Sequence, residues 1–245
     1  MAMLALSGVS YAFHTNGAAR NNSALQDLAF ASDVSAPSTN RLYTWNGTNG
    51  LTTTANSAAT FVNSAAGANP SYEMLVEIKA LMKNKFIRGI KQKGNDEVYH
   101  LFMTPDALAK LKMDSDFIAN LRSAGPRGDK NQIFSGGASY YMDGLMIHEH
   151  RHVFNTKGLA SGSKWSDGGD VDGCRILVCG AQALAMADIG DAYWDEDKDD
   201  YNNNYGISVG KMLGIKKPVW KSAVDGTKED FGVMCVDVAT GGASA

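Results

Sequence analysis

Hydrophobic residues recur at intervals of three and four in the stretch that follows Asn69-Pro70. This spacing predicts an amphipathic helix whose apolar side packs on a core. Asn69 as the capping residue and Pro70 at the first helical position mark its start, and we expect it to end near Asn84. Thr104-Pro105 begins a second predicted helix in the same way. The stripe of the first helix consists of Met74, Leu75, Ile78, Leu81 and Met82.

Other runs of apolar residues predict strands. Asp143-Gly144 is a turn signal between the apolar and aromatic runs 138–142 and 145–154, which predicts a β-hairpin. Strands and few helices alternate without βαβ regularity, so the predicted fold class is β-rich α+β with long loops. The remaining predicted strands are residues 41–45, 86–90, 97–103, 175–180 and 231–238, and the pattern also alternates at 207–213 and 218–220.

The polar and apolar residues divide the chain unevenly. Residues 1–66 are rich in Ala, Ser, Asn, Thr and Gly, and they lack the apolar surface to fold alone. We expect this segment to pack on the rest of the chain or on a neighbouring chain. Residues 67–240 should form the core, and residues 241–245 a flexible tail. The opening is abrupt, which is compatible with Met1 being an internal methionine of a longer gene product.

The composition excludes several classes of protein. A chain of 245 residues with 44% hydrophobic and 20% charged residues is ordinary for a globular protein. The formal net charge of −3 argues against a protein that mainly wraps nucleic acid. No run approaches the roughly 18 apolar residues of a membrane span. Cys174, Cys179 and Cys235 are predicted to be reduced and buried, which indicates folding inside a cell.

The letters from His148 to His152 match the H-E-x-x-H signature of zinc proteases. That signature requires a helix, where residues four apart lie about 6 Å from each other. In the strand predicted here, His148 and His152 would lie about 13 Å apart, and Glu149 would point to the opposite face. We therefore interpret the match as accidental.

A weaker metal-site hypothesis remains for His148 and His150, which share one face of the predicted strand. Such a pair can bind zinc if a third ligand comes from elsewhere, and the alternative function is then a metal-dependent hydrolase. The competing interpretation is a polar, partly solvated strand face. No nucleophile elbow, dinucleotide fingerprint or phosphate loop is present, so we expect no catalytic residue, cofactor site or metal site.

Two charged runs have open interpretations. The acidic run 195–200 resembles the opening of a calcium loop, but Asp200 stands where that loop needs glycine and Gly206 where it needs glutamate. We predict a solvated acidic loop there, preceded by a short helical or turn segment at 182–186. The second run is a basic cluster that can meet phosphates, an acidic patch or only solvent, and it consists of Lys83, Lys85, Arg88, Lys91 and Lys93.

Several short motifs follow one another after Tyr99. Their order and spacing resemble the major capsid protein family of the N-four-like tailed phages, in which an N-P-I-F-x-G-A…Y-x-G-V-x-I-H-E block recurs. The similarity is strong over residues 70–240 and weak before them. The motifs are the strand, proline and helix of 98–112, Gly125-Pro-Arg-Gly128, Asn131-Gln-Ile-Phe-Ser-Gly136, Tyr141-Met-Asp-Gly-Leu-Met-Ile-His-Glu-His150, and the runs 174–187 and 217–236.

This resemblance implies a Hong Kong 97-type fold with a peripheral domain, a long spine helix, an axial domain, an extended loop and an N-terminal arm. It implies a structural protein, not an enzyme, that self-assembles into hexamers and pentamers of an icosahedral phage head around double-stranded DNA. Implied partners are further copies of the chain, decoration, scaffolding and portal proteins, and packaged DNA by non-specific proximity, with no membrane. The protein would be made in the host bacterial cytoplasm and end in the virion. No long spine helix is visible in this sequence.

Overall fold

The structure is a computed structural model in which most of the chain is described. The described residues are 2–8, 35–47, 49–53, 68–91, 97–124, 139–157, 161–162, 164–165, 171–201, 203–221 and 226–241. Most of the polar segment 1–66, the motifs at 125–136 and the tail beyond residue 241 lie outside them.

The described part contains four helices, which are α1 (Ala2–Ser7), α2 (Tyr72–Asn84), α3 (Pro105–Met113) and α4 (Ser115–Ala124). A 3-10 turn covers Thr39–Arg41. The strands are β1 (Leu42–Asn46), β2 (Gly50–Thr52), β3 (Ile90–Lys91), β4 (Glu97–Met103), β5 (Ser139–Met142), β6 (Leu145–Glu149), β7 (Asp172–Cys179), β8 (Ala185–Asp188), β9 (Tyr193–Asp199), β10 (Asn204–Gly210), β11 (Leu213–Lys216), β12 (Val219–Lys221), β13 (Lys228–Asp230) and β14 (Val233–Gly241). No helix of this described part is long and apolar enough to cross a membrane.

An eight-stranded mixed sheet organises the body of the protein. Its order is β2-β1-β14-β7-β4-β6-β5, with β3 paired to the start of β4. Two neighbouring pairs are parallel, β1 with β14 and β4 with β6, and the others are antiparallel. Strand β1 lies within the polar segment 1–66, and it pairs with the last strand of the chain.

The two predicted helices form where their apolar residues indicate. The start of α2 differs by two residues, because Ser71 and not Asn69 caps it: the Ser71 hydroxyl accepts the N–H of Met74 at 3.3 Å. Helix α3 begins as expected, since the Thr104 hydroxyl accepts the N–H of Ala107 at 3.3 Å and Pro105 takes the first position. Residues 117–121, for which the sequence also predicts a short helical turn, belong to the longer α4.

The central sheet is covered on its first face by α2, α3 and α4. Because side chains alternate along a strand, every second side chain of each strand points to this face. There these side chains pack against the apolar side of the helices and form one core with them. That core includes Trp45, Met74, Ile78, Met82, Tyr99, Leu101, Phe117, Ile147, Cys174, Ile176, Val236 and Val238.

The second face of the sheet carries its own apolar cluster. Leu6 of α1 packs there against Leu177, Cys179, Val233 and Cys235. Cys174 lies in the first core and Cys179 in this one, because residues five apart on a strand point to opposite faces of the sheet. All three cysteines are free and buried. Burial raises the pKa of the Cys174 thiol to about 11 and that of Cys179 and Cys235 to about 12.

A buried ion pair fastens α1 to this second face. Arg175 on β7 donates from Nε to Oδ1 of Asp237 at 2.7 Å and from Nη2 to Oδ2 at 3.0 Å. Its third nitrogen, Nη1, donates to the Ser7 carbonyl at 3.0 Å. Burial raises the pKa of the Asp237 carboxyl, and the Arg175 guanidinium opposes that rise.

Several predicted elements are wrong or shortened, among them the second strand of the hairpin, which ends at Glu149 and not at residue 154. The strand expected at 86–90 is reduced to Ile90–Lys91, because Phe86 turns into the left-handed region at φ 56°. The helical or turn segment expected at 182–186 ends in β8. The acidic run 195–200 is not a loop: its first five residues belong to strand β9.

Candidate assembly surface

Residues 185–216 form a β-ribbon of two successive two-stranded parts that are separate from the central sheet. Strand β8 pairs with β11 at its root, and β9 pairs with β10 further out. Each side of the ribbon is about fifteen residues long, which corresponds to a contour of about 50 Å at 3.3 Å per residue. Asp200 and Tyr201, both with positive φ, turn the chain at the tip.

The outer ribbon has two chemically different faces. Residues paired across an antiparallel ladder share a face. Trp194 with Val209, and Glu196 with Ile207, lie on one face, and the three apolar side chains there are all more than half exposed. This apolar face is covered by no other described part of the chain.

The opposite face of the outer ribbon is acidic at its centre. Asp195 pairs with Ser208, and Asp197 pairs with Gly206, so two carboxylates stand beside small residues. Nearer the root, the Tyr193 ring lies over Gly210, where a Cβ would come within 2.3 Å of the ring. A residue larger than glycine at 210 would therefore displace the ring.

The root of the ribbon is held by buried ion pairs. Lys217, which follows β11, places Nζ 2.8 Å from Oδ2 of Asp230, and both side chains are nearly inaccessible to solvent. Arg41 reaches Glu229 at 3.2 Å and donates from Nε to the Asp230 carbonyl at 3.0 Å. Because each charge has a partner, this network can fix the root without leaving an unpaired buried ion.

A cleft of about 430 Å³ opens beside this root. Phe86, Trp220 and Phe231 supply aromatic rings to its walls, and the last two meet edge to face with centroids 5.9 Å apart. Lys85 and Lys221 flank the rings, and the paired residues of the root form part of its lining. Apart from the ion-paired residues of the root, the cleft is therefore lined mainly by aromatic rings and lysines.

Phe86 stands where glycine is usual. It follows the C-terminus of α2, where its N–H donates to the Lys83 carbonyl at 3.0 Å and the next N–H, of Ile87, donates to Met82 at 3.0 Å. This is a Schellman ending, which places one residue in the left-handed region. The Phe86 side chain is nevertheless 92% exposed. A bulky residue in this conformation is disfavoured, and it gains no burial in return within the described chain.

The histidines predicted as a metal pair do not share a strand face. Strand β6 ends at Glu149, and His150 lies in the following turn, where its ring faces His152 with centroids 5.5 Å apart. His148 instead contacts His100, with Nε2 and Nδ1 2.8 Å apart and the rings stacked. Within the described ranges, no group of three or more His, Cys, Asp or Glu side chains is arranged to hold a metal ion.

Sequence reasoning missed the ribbon and the cleft for different reasons. The signal for β9 was present, because aromatic residues frame the acidic run and Ile207 and Val209 alternate with small residues in its partner. The cleft has no such signal, since its rings come from segments of the chain far apart in sequence. The sequence indicates the basic cluster from Lys83 to Lys93, but the position of its Lys85 in the same cleft as Trp220 depends on the fold.

Comparison with known proteins places the chain. Residues 5–241 match a family described as phage capsid protein. The chain belongs to the phage capsid protein family. The chain is similar to the major capsid protein of Pseudomonas phage KPP25, with 52% identity over 240 residues. The matched region covers 98% of this chain and 63% of that protein.

Two solved phage capsids share the fold. The capsid of Ralstonia phage GP4 matches 97% of this chain and 61% of its own, with a TM-score of 0.66 and 22% identity. The capsid of cyanophage Pam1 matches 98% and 64%, with a TM-score of 0.66 and 19% identity. The chain thus spans somewhat less than two thirds of these capsid proteins. The expected resemblance and the α+β, Hong Kong 97-type fold class are confirmed.

Proposed function

We propose that this chain acts as the major capsid protein of a tailed phage, whose copies assemble as hexamers and pentamers into an icosahedral head around double-stranded DNA. Its 52% identical relative is a major capsid protein. Residues 67–240 provide the capsid core, with a peripheral and an axial domain, and residues 1–66 pack on that core or on neighbouring copies. The protein is made in the host bacterial cytoplasm and ends in the virion shell.

The exposed ribbon is the observation that carries this proposal. A two-stranded ribbon is marginally stable in water by itself, and here it presents Trp194, Ile207 and Val209 to solvent. In a shell, every copy has neighbours that can cover this apolar face, so the face is removed from water on assembly. Decoration, scaffolding and portal proteins are further proposed partners, and packaged DNA lies near the inner wall without specific contacts.

The direct test is electron microscopy of the purified protein, expressed with whatever sequence surrounds it in its gene, together with light scattering and zinc analysis. We expect closed shells, or rings of five and six subunits, without stoichiometric zinc. A monodisperse monomer that binds one zinc ion per chain, lost on His148→Ala, would contradict the proposal and favour a metal-dependent protein.

A further inference from the structure

The ribbon and the cleft carry opposite charges. Residues 193–210 contain five carboxylates and one lysine. Lys85 and Lys221 of the cleft form no ion pair with any residue that the structure describes, and the same holds for Lys228, which pairs with Lys221 across β12 and β13. Glu229 and Asp230, the acidic residues of the cleft, are already paired at the root. Complementary potentials of this kind orient two protein surfaces toward each other.

The two surfaces are also complementary in their side-chain types. Tyr201, at the turn of the ribbon, is 98% exposed and follows Asp200 directly. The cleft offers the opposite combination, with the Phe86, Trp220 and Phe231 rings beside lysines. A tyrosine that directly follows carboxylates can therefore place its ring against aromatic partners while the carboxylates meet ammonium groups.

The separation of the ribbon tip from the cleft indicates whether the two surfaces meet within one copy or between copies. The cleft lies at the root of the ribbon, and the tip lies about 50 Å away along the ribbon's contour. The tip can therefore reach the cleft of another copy while its own cleft stays open for a third. Such a contact joins two different patches, and it forms a closed ring if the rotation between copies is a simple fraction of a turn.

We propose that the outer part of the ribbon of one copy, from Asp195 to the turn at Tyr201, docks into the aromatic and basic cleft of a neighbouring copy. This inference rests on the proposed shell function and names the contact through which neighbours are joined. It also explains Phe86, because a side chain held outward in a disfavoured conformation gains its burial from the neighbour's ribbon. The competing occupant of the cleft's lysines is the phosphate backbone of packaged DNA, which the following experiment separates from a neighbouring copy.

Charge reversal on each side tests the contact. Asp195→Lys with Asp197→Lys reverses the ribbon, and Lys85→Glu with Lys221→Glu reverses the cleft. All four side chains lie outside the buried cores, so both variants should fold, which circular dichroism and thermal unfolding would verify. In each variant alone, like charges then face each other, and we expect the assembled fraction in sedimentation and electron microscopy to fall at least about tenfold.

Mixing the two variants gives the decisive result. In an equimolar mixture, the lysine ribbon of one variant meets the glutamate cleft of the other, and the unchanged ribbon meets the unchanged cleft. We therefore expect assembly to return in alternating rings with an even number of subunits, and rings of five to be missing. A single chain that carries all four substitutions should assemble as well.

Matched reversals elsewhere provide the control. Asp116→Lys with Glu149→Lys, and Arg122→Glu with Arg151→Glu, change the same charges at exposed positions outside the ribbon and the cleft. We expect these pairs to assemble like the unmodified protein, and their mixture to differ from neither variant alone.

Three outcomes would overturn the inference. Failed assembly that neither the mixture nor the combined chain restores would mean that ribbon and cleft do not meet. Normal assembly of the cleft variant, with loss of DNA from filled heads, would assign the cleft to DNA. An unmodified protein that does not self-associate would overturn the shell function itself, whereas the first two outcomes leave that function intact.

Discussion

The central sheet and the ribbon are built from the same kind of strand, yet their surroundings are opposite. Strands β7 and β14 are buried on both faces, between the helices on one side and α1 on the other. Strands β9 and β10 have no covering layer on either face within the described chain. Since a sheet is stabilised by the layers that it packs against, the body can be stable by itself, whereas under our proposal the ribbon gains its covering layer from a neighbouring copy.

The difference extends to how charges are used. In the body, the buried Asp237 carboxylate is paired with the largely buried Arg175 guanidinium, and this pairing favours one arrangement of β7 and β14. In the ribbon, the carboxylates at 195 and 197 are exposed and available to another molecule. Mutations in the first region should therefore change folding, and mutations in the second should change association.

The largest expected effect is on the buried ion pair. Arg175→Met leaves the Asp237 carboxylate buried without its partner, and we expect the free energy of unfolding to fall by about 3–5 kcal/mol. The measurement is urea denaturation followed by circular dichroism. Adding Asp237→Leu removes the unpaired charge and should restore most of the loss. Equal instability of the single and double variants would mean that packing, and not charge, is decisive here.

The same substitution in both regions sharpens the comparison. Ile78 is 0% exposed in the core, and Ile207 is 59% exposed on the ribbon. Ile78→Ala should lower the free energy of unfolding by about 2–5 kcal/mol, whereas Ile207→Ala should change it by less than about 0.5 kcal/mol and reduce assembly. Denaturation and sedimentation of both variants measure the two effects. A similar loss of stability for the two would contradict the proposed division.

The histidine pair adds a dependence on pH to the body. Burial, together with His100, lowers the pKa of His148 below its ordinary 6.5. The folded state therefore favours the neutral ring, so its stabilising effect is complete above pH 6.5 and is lost as the pH falls below that value toward the folded pKa. Unfolding should show a steeper loss of stability between pH 8 and pH 5 than in His148→Gln. Identical pH profiles would exclude this role.

The smallest expected effect is a substitution at Phe86 that should stabilise the folded chain but weaken its assembly. Phe86→Gly relieves the left-handed conformation, and we expect it to stabilise the folded chain by about 0.5–1 kcal/mol. The same change removes a ring from the cleft and should weaken assembly. Thermal unfolding and sedimentation are measured on the same samples, with Phe86→Ala as the control that removes the ring but keeps the strain. Weaker folding in the glycine variant would contradict this account.

Much of the body could be predicted from the sequence, because its elements leave periodic patterns. The stripe from Met74 to Met82 predicted α2, and the apolar run at 175–180 predicted β7. The ribbon leaves a weaker pattern. Ile207 and Val209 alternate with small residues, but the consecutive acidic residues of β9 favour a solvated loop when the partner strand is not known.

The histidine site shows a second limit of the sequence. The prediction for His148 and His150 depended on a strand that continues to residue 154, whereas β6 ends at Glu149. The contact that does form, between His148 and His100, joins residues far apart in the chain. It results from the parallel pairing of β4 with β6, which no local pattern indicates.

Hydrogen–deuterium exchange of dissociated subunits and assembled shells tests the central claim most directly, because it reports backbone protection segment by segment. We predict that β4, β7 and β14 are protected in both states. Residues 193–210 should exchange rapidly in the subunit and become protected only in the shell. Strong protection of the ribbon in the isolated subunit, or rapid exchange there after assembly, would contradict the account.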